Sequence, residues 1–240
     1  MKIFDDIIRE TSELLDGLQF RSYPYVSGKA AEKGRKNELI LQRDAAYELG
    51  AGTFASVSFT ALTDKQELVG EDQILLYGND LAQLNADSSF ARITFLRTDN
   101  IEQNGEQGIY AVIKNIELKK YGISPKGYML RASALSNREQ VRVSKAAWEN
   151  GLTFEQVGNL YINTYKEDPH VLAVKILFIT LPKVPYPALD RLADDTVRIT
   201  KALNHVLADL KMDCRACEWK PVCDQVDGMK EMHQQLVRQQ

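Results

Sequence analysis

Residues 171–180 constrain the fold more than any other stretch of this chain. Their sequence, VLAVKILFIT, is a continuous apolar run broken only by Lys175, and Pro182, Pro185 and Pro187 end it. A strand with one solvated face alternates apolar and polar residues, whereas a strand covered on both faces is apolar at almost every position. The run therefore predicts a central strand in a sheet that is covered on both faces.

Further strands and helices follow from the spacing of apolar residues. Short apolar or alternating runs divided by turn residues predict strands, and apolar residues three and four apart predict helices. The predicted strands lie at residues 39–41, 55–61, 73–77, 91–96 and 127–135. The predicted helices lie at residues 108–120, 139–149, 154–166 and 188–211, and Thr153 with Gln156 forms a capping-box signature at the start of the third. We therefore expect an α+β fold with a mixed sheet packed against helices.

Both ends of the chain are predicted to be helical. Apolar residues recur from Phe4 to Leu18 with charged residues between them, which indicates an amphipathic helix. Residues 21–37 are rich in Gly, Lys and small polar residues and are interpreted as a linker. The expected organisation is a helical arm and linker at 1–37, an α+β domain at 38–182 and a helical metal-binding segment at 183–240.

The predicted helix at 188–211 carries an apolar seam with two interpretations. Its apolar positions alternate between steps of three and four, as in a heptad repeat. Such a seam packs either in the core of its own chain or against a second copy in a homodimer. The core interpretation is favoured, because three heptads are near the minimum for a coiled coil. The seam residues are Leu189, Leu192, Thr196, Ile199, Leu203, Val206 and Leu210.

The overall charge and hydropathy argue against two classes of partner. The formal net charge is -3 and the pI is about 5.7, whereas nucleic-acid-binding proteins usually carry a basic surface that displaces counterions from phosphate. No apolar run approaches the roughly 20 residues that span a bilayer, and no signal peptide is recognised after Met1. We expect a cytoplasmic protein that binds neither nucleic acid nor membrane.

All three cysteines of the chain lie within one short stretch. Cys214, Cys217 and Cys223 are spaced C-x2-C-x5-C, and thiolates so spaced suit a zinc ion or an iron-sulfur cluster. A disulfide is disfavoured, because the number is odd and an intracellular chain keeps its thiols reduced. The alternative is a set of free or buried thiols without a metal.

His233 is the candidate for a fourth metal ligand. It lies ten residues beyond Cys223, on a segment that Pro221 opens as a predicted helix. A tetrahedral metal or a cubane needs a fourth ligand, and imidazole is a usual donor beside thiolate. The alternative is a solvent-exposed histidine on that helix.

The segment from Lys114 to Lys145 is basic although the chain as a whole is acidic. It contains eight Lys and Arg residues and two acidic residues. Such a patch suits phosphate, because Arg offers a bidentate fork and Lys a point charge. The alternative is a solvated face whose acidic partners come from elsewhere in the fold. The candidate ligand-binding residues are Arg131, Arg138, Arg142 and Lys145.

Four stretches, in this order along the chain, resemble the acetyl-CoA synthase family. They are RDAAYEL at 43–49, QILLYGND at 73–80, VRVSKAAWENG at 141–151 and DDTV at 194–197, and the C-x2-C step follows them. Residues 38–223 together resemble the middle region of acetyl-CoA synthase, the beta subunit of the CO dehydrogenase/acetyl-CoA synthase complex, running into the start of its metal-binding domain.

The resemblance implies a cofactor and a ligand. In the family, four cysteines hold a 4Fe-4S cluster that is bridged to a nickel site, and a Cys-Gly-Cys element binds the distal metal of that site. Here His233 stands where the pattern places the fourth cysteine, and the sequence contains no Cys-Gly-Cys element. The family's arginine-rich middle domain is associated with coenzyme A and matches the segment that holds Arg131, Arg138 and Arg142.

The function that the resemblance implies is an iron-sulfur accessory, docking or electron-transfer protein of anaerobic one-carbon or corrinoid metabolism. Its expected partner is a corrinoid protein or a protein of the CO dehydrogenase/acetyl-CoA synthase type, and acetyl formation by this chain alone is not expected. Two alternatives stay open. One is a zinc-stabilised Cys3His interaction module without a catalytic role, and the other is a partial synthase subunit that another chain completes.

Overall fold

The computed structural model describes residues 2–35, 38–99, 105–132 and 137–207 of the chain. The strands within these residues are β1 (Arg21–Pro24), β2 (Ala45–Leu49), β3 (Ser56–Thr63), β4 (Gln73–Tyr77), β5 (Phe90–Thr98), β6 (Tyr128–Ala132), β7 (Glu139–Ser144) and β8 (Val171–Ile179). The helices are α1 (Lys2–Leu14), α2 (Gly105–Lys119), α3 (Lys145–Glu149), α4 (Phe154–Tyr165) and α5 (Tyr186–Leu207).

Strand β8 lies at the centre of a five-stranded mixed sheet with the order β1-β4-β8-β5-β3. It runs parallel to β4 and antiparallel to β5, and β3 completes the sheet parallel to β5. Every β8 residue except Leu172 and Lys175 is buried. Because successive side chains point to opposite faces of a strand, both faces are covered, and the prediction of an α+β fold with a central strand here is confirmed.

A second, smaller sheet has the order β2-β7-β6, and both of its pairings are antiparallel. Its middle strand alternates between buried and half-buried positions, which places Glu139, Val141 and Val143 on the inner face. That face packs against β3 and β5 of the main sheet. The two sheets therefore enclose a common layer of side chains.

The predicted helix at 139–149 is wrong over its first half. Glu139–Ser144 is strand β7, and only Lys145–Glu149 is helical. Val141 and Val143 sit at alternate positions, where β-branched side chains pack well on a pleated surface. The helix starts only after the Ser144 hydroxyl, which accepts a hydrogen bond from the Ala147 amide and so acts as the N-cap.

Residues 39–41 do not form the predicted strand. They run extended across the small sheet, with Leu39 and Leu41 exposed. The stretch interpreted as a linker also contains strand β1, which pairs with β4. In both places the local pattern was too short to show whether a partner strand is present.

Helices α1 and α5 pack on strand β3 and on each other. Helix α1 buries Phe4, Ile7 and Ile8. The part of the α5 seam whose side chains are described is buried in its own chain, as the core interpretation predicts: Leu189, Leu192, Thr196 and Ile199. No helix among the described residues is long and apolar enough to cross a membrane.

Candidate functional site

A cavity of about 660 Å³ opens beside the small sheet. Three segments line it: residues 127–131 at the start of β6, residues 120–121 and 123–125 after α2, and residues 38–41 together with Arg35. Arg142, on the neighbouring strand β7, completes the lining. We call this space the basic cavity, because Arg35, Lys120, Arg131 and Arg142 line it with Glu38 as their only acidic companion in the described lining.

The cations of the basic cavity differ in whether they already form hydrogen bonds or ion pairs within the chain. The Arg142 guanidinium donates to the Glu48 carboxylate through Nε and Nη2, and its Nη1 donates to the Ile40 carbonyl at 2.7 Å. The side chains of Arg35 and Arg131 make no hydrogen bond or ion pair with any described residue, and both are exposed. Arg35 and Arg131 are therefore the cations that can bind an anion without first breaking an internal contact.

Lys120 lines the basic cavity and is half-buried. Its Nζ lies 5.1 Å from the centroid of the Tyr121 ring. Burial lowers the pKa of Lys120, the nearby Arg92 charge lowers it further, and Glu117 and Glu139 act in the opposite direction. An anion bound in the cavity would favour the charged form of this amine, so ligand binding and protonation of Lys120 are expected to be coupled.

Apolar side chains line the same cavity. Leu39 is 78% exposed, and Leu41 and Tyr121 are each 48% exposed. Large apolar groups beside uncommitted cations form the kind of concave site that binds a small molecule with an anionic part and an apolar part. The chemistry of the cavity thus favours an amphipathic anion over a bare inorganic ion.

The wall behind the basic cavity is a buried polar cluster. Tyr128 lines the cavity although the residue is only 2% exposed, and its hydroxyl has no hydrogen-bond partner among the described residues. Arg92 lies deeper, with its side chain 4.9 Å from the Tyr161 ring centroid and ion-paired to Glu139. This cluster is closed to solvent, so its contribution is to hold the wall of the cavity in place.

The four basic residues singled out in the sequence are only partly brought together. Arg131 and Arg142 line the basic cavity, whereas Arg138 and Lys145 do not. Arg138 is exposed and acts electrostatically on Asp190 of α5, and the Lys145 Nζ donates to the Arg43 carbonyl at 3.0 Å. The predicted phosphate patch is therefore split. Arg131 and Arg142 share the cavity, whereas Arg138 and Lys145, which lie just before and just after β7, are outside it.

Two cavity residues were not among the candidates. Lys120 belongs to the same basic segment but was not selected within it. Arg35 lies in the stretch interpreted as a linker, where the sequence EKGRK already contains three basic residues. The bridge between Lys33 and Pro125 brings this stretch to the edge of the cavity.

The predicted metal ligands Cys214, Cys217, Cys223 and His233 lie outside the described residues. Within residues 2–207, less the gaps given above, no group of three or more His, Cys, Asp or Glu side chains could hold a metal ion. The metal centre therefore stays a prediction that rests on the spacing of the cysteines.

Neither a family model nor a curated protein matches this chain.

Proposed function

We propose that this chain binds coenzyme A, or a closely related phosphate-bearing cofactor, in the basic cavity. The observation that carries the proposal is the pairing of uncommitted cations, Arg35 and Arg131, with exposed apolar groups such as Leu39 around one concave space. A guanidinium binds phosphate through two parallel hydrogen bonds, and the apolar wall accommodates the rest of the ligand. Of the ligands considered from the sequence, coenzyme A combines both requirements.

The wider role we propose is that of an iron-sulfur accessory or docking protein related to acetyl-CoA synthase. Its support is the C-x2-C-x5-C spacing of Cys214, Cys217 and Cys223 and the order of the resembling stretches. Such a protein would present coenzyme A and a cluster to a corrinoid or synthase-type partner in the cytoplasm. The zinc-stabilised interaction module is the competing proposal, because Cys3His also completes a tetrahedral zinc site.

The experiment that tests the ligand is a calorimetric titration of coenzyme A into the wild-type chain and two matched variants. Arg131→Ala removes a cation that lines the basic cavity, and Arg138→Ala removes an exposed cation of the same basic segment that does not line it. A hydrogen bond to a charged group contributes about 1.5–3 kcal/mol. We expect Arg131→Ala to weaken binding at least about tenfold and Arg138→Ala to leave it nearly unchanged.

Two results would contradict the proposal. One is the absence of saturable binding at millimolar coenzyme A. The other is an equal loss in both variants, because general attraction to a basic surface depends on net charge and falls with salt, whichever cation is removed.

A further inference from the structure

Strand β6 presents its edge to the basic cavity. Among the described residues, the order β2-β7-β6 gives it a strand partner on one side only, which is β7. Five consecutive residues, 127–131, line the cavity, although side chains alternate between the two faces of a strand. A strand contributes consecutive residues to one wall when its backbone edge forms that wall.

The register of the small sheet identifies which backbone groups point into the cavity. Tyr128 lies opposite Val143 in the ladder, and one position before it the Gly127 carbonyl accepts a hydrogen bond from the Ser144 amide at 2.9 Å. In an antiparallel pair, hydrogen-bonded positions alternate with positions whose N–H and C=O turn away from the partner. Met129 is therefore bonded to β7, and the N–H and C=O of Leu130 turn towards the cavity.

The Leu130 backbone groups are unpaired within the described residues. Leu130 lies opposite Val141 in a position that is not hydrogen-bonded, and neither its amide nor its carbonyl bonds to another described segment. The neighbouring Tyr128 amide, by contrast, is satisfied by the Pro125 carbonyl at 3.1 Å. A donor and an acceptor on one edge residue are a template for one more strand.

We propose that the edge of β6 at Leu130 binds a linear amide chain of the ligand as an added strand. Two successive secondary amides of an extended arm offer the C=O of one amide and the N–H of the other, and these two groups together can satisfy the N–H and C=O of Leu130. Arg131 follows Leu130 directly and places a cation near the same end of the cavity. This proposal rests on the proposed function and specifies the ligand: a phosphate ester that carries an extended amide-containing arm.

The amide arm explains a feature that phosphate binding alone leaves unused. Phosphates need only the cations at the rim, and an apolar group needs only the side chains. The unpaired N–H and C=O of Leu130 favour a ligand that has both an acceptor and a donor, because a backbone group that is desolvated without a hydrogen-bond partner is unfavourable. Coenzyme A has such an arm in its pantetheine part, and its nucleotide part has none.

The test follows hydrogen exchange of the Leu130 amide by NMR in the wild-type chain. The probes are coenzyme A, its nucleotide part without the arm, pantetheine alone and an extended acidic peptide. We expect saturating coenzyme A to slow exchange at Leu130 at least about tenfold, in line with one added hydrogen bond. The nucleotide part should leave it unchanged, and the exposed turn residue Gly52, which does not line the cavity, serves as the control amide.

The outcomes separate this proposal from the one on which it rests. If coenzyme A and its nucleotide part bind equally well and Leu130 stays unprotected, the added strand is wrong and the proposed function stands. If coenzyme A does not bind but an extended acidic peptide protects Leu130, both are overturned, and the edge of β6 is a protein-docking site. Protection of Leu130 by millimolar pantetheine alone would support the added strand independently of phosphate.

Discussion

Arg92 of β5 and Glu139 of β7 form an ion pair that joins the two sheets in the interior. Their side chains are 0% and 1% exposed, and the Arg92 Nη2 lies 2.5 Å from Glu139 Oε2. The remaining guanidinium donors reach the hydroxyls of Ser58 and Thr94 at 2.9 and 2.6 Å. Burial acts to lower the pKa of Arg92, but Glu139, Tyr161 and Tyr165 together outweigh it, so the pKa lies above its ordinary value. The Arg92 charge is thus buried and surrounded by hydrogen-bond partners.

The first prediction is that Glu139→Ala strongly destabilises the fold. The change leaves the Arg92 charge buried without its partner, and the loss of one member of a buried pair costs about 3–5 kcal/mol. Urea unfolding followed by circular dichroism measures the change. Glu149→Ala, at an exposed acidic residue of α3, is the matched control and should change the free energy of unfolding by less than about 0.5 kcal/mol.

The double variant Arg92→Leu/Glu139→Leu extends this test. Removing both charges leaves no unpaired ion, so it should cost less than Glu139→Ala alone. If the single variant lost less than about 1 kcal/mol, or the double variant lost more than the single one, the pair would not be the main polar connection between the sheets.

The second prediction concerns the pH dependence of stability at Asp80. Its Oδ1 accepts hydrogen bonds from the amides of Leu81 and Phe154, both at 2.7 Å. Burial raises the pKa of Asp80 above its ordinary value of 3.8, although the two amides act to lower it. At pH values between the unfolded and the folded pKa, the folded state therefore holds a proton that the unfolded state has released. The stability that this proton contributes is lost as the pH rises through the folded pKa.

Asp80→Asn removes this titration while keeping an oxygen that can accept both hydrogen bonds. The stability of the variant relative to the wild type should therefore increase as the pH rises above 3.8. Denaturant midpoints measured at a series of pH values give this difference directly. A difference that stays constant or decreases with pH would show that Asp80 ionises in the folded state without a penalty.

The third prediction concerns the contact of helix α4 with strand β4. A Cβ atom at Gly158 would lie 2.7 Å from Ile74 Cγ1 and 2.8 Å from Cδ1. Gly158→Ala should therefore be destabilising by about 1–3 kcal/mol through overpacking, even though Ala favours the helix. Gly28→Ala is the control, because nothing lies within 4 Å of its added Cβ. Thermal melts compare the two, and Gly158→Ala should cost less in an Ile74→Ala background than in the wild type, because the clashing side chain is then absent.

The fourth prediction concerns the metal centre. His233→Ala should markedly lower metal retention after anaerobic purification, whereas His205→Ala should not, and Cys217→Ser should abolish binding. Metal analysis and visible spectra provide the measurement, because an iron-sulfur protein is brown and bleaches in air while a zinc protein is colourless. An unchanged metal content in His233→Ala would mean that another group fills the fourth position.

Local sequence patterns were sufficient for several elements of the fold. The apolar run at 171–180 predicted central strand β8, and Thr153 with Gln156 predicted the capping box that opens helix α4. These signals lie within the element itself, because burial on both faces and an N-cap hydrogen bond involve residues that are close in sequence. The buried half of the α5 seam was predictable for the same reason.

The basic cavity could be predicted only in part. Arg131 was selected from its basic neighbourhood, but the sequence did not indicate that Arg142 is committed to Glu48 across the β2–β7 pairing. Arg35 reaches the cavity because the stretch before it pairs with residues near Pro125. Contacts of this kind join residues about ninety positions apart. The number of charges in a local stretch of sequence therefore does not show which basic residues are paired and which line the cavity.

The sequence by itself determined the class of the fold and its central strand, and it indicated the residues that we propose to bind phosphate or metal. Only the tertiary structure decided that Glu139, predicted on a helix, is the buried partner of Arg92, and that Leu130 turns its backbone towards a cavity. The physical reason is the register of the small sheet. A shift of one residue along β7 would move Glu139 to the opposite face, and nothing local to β7 specifies which residue lies opposite which.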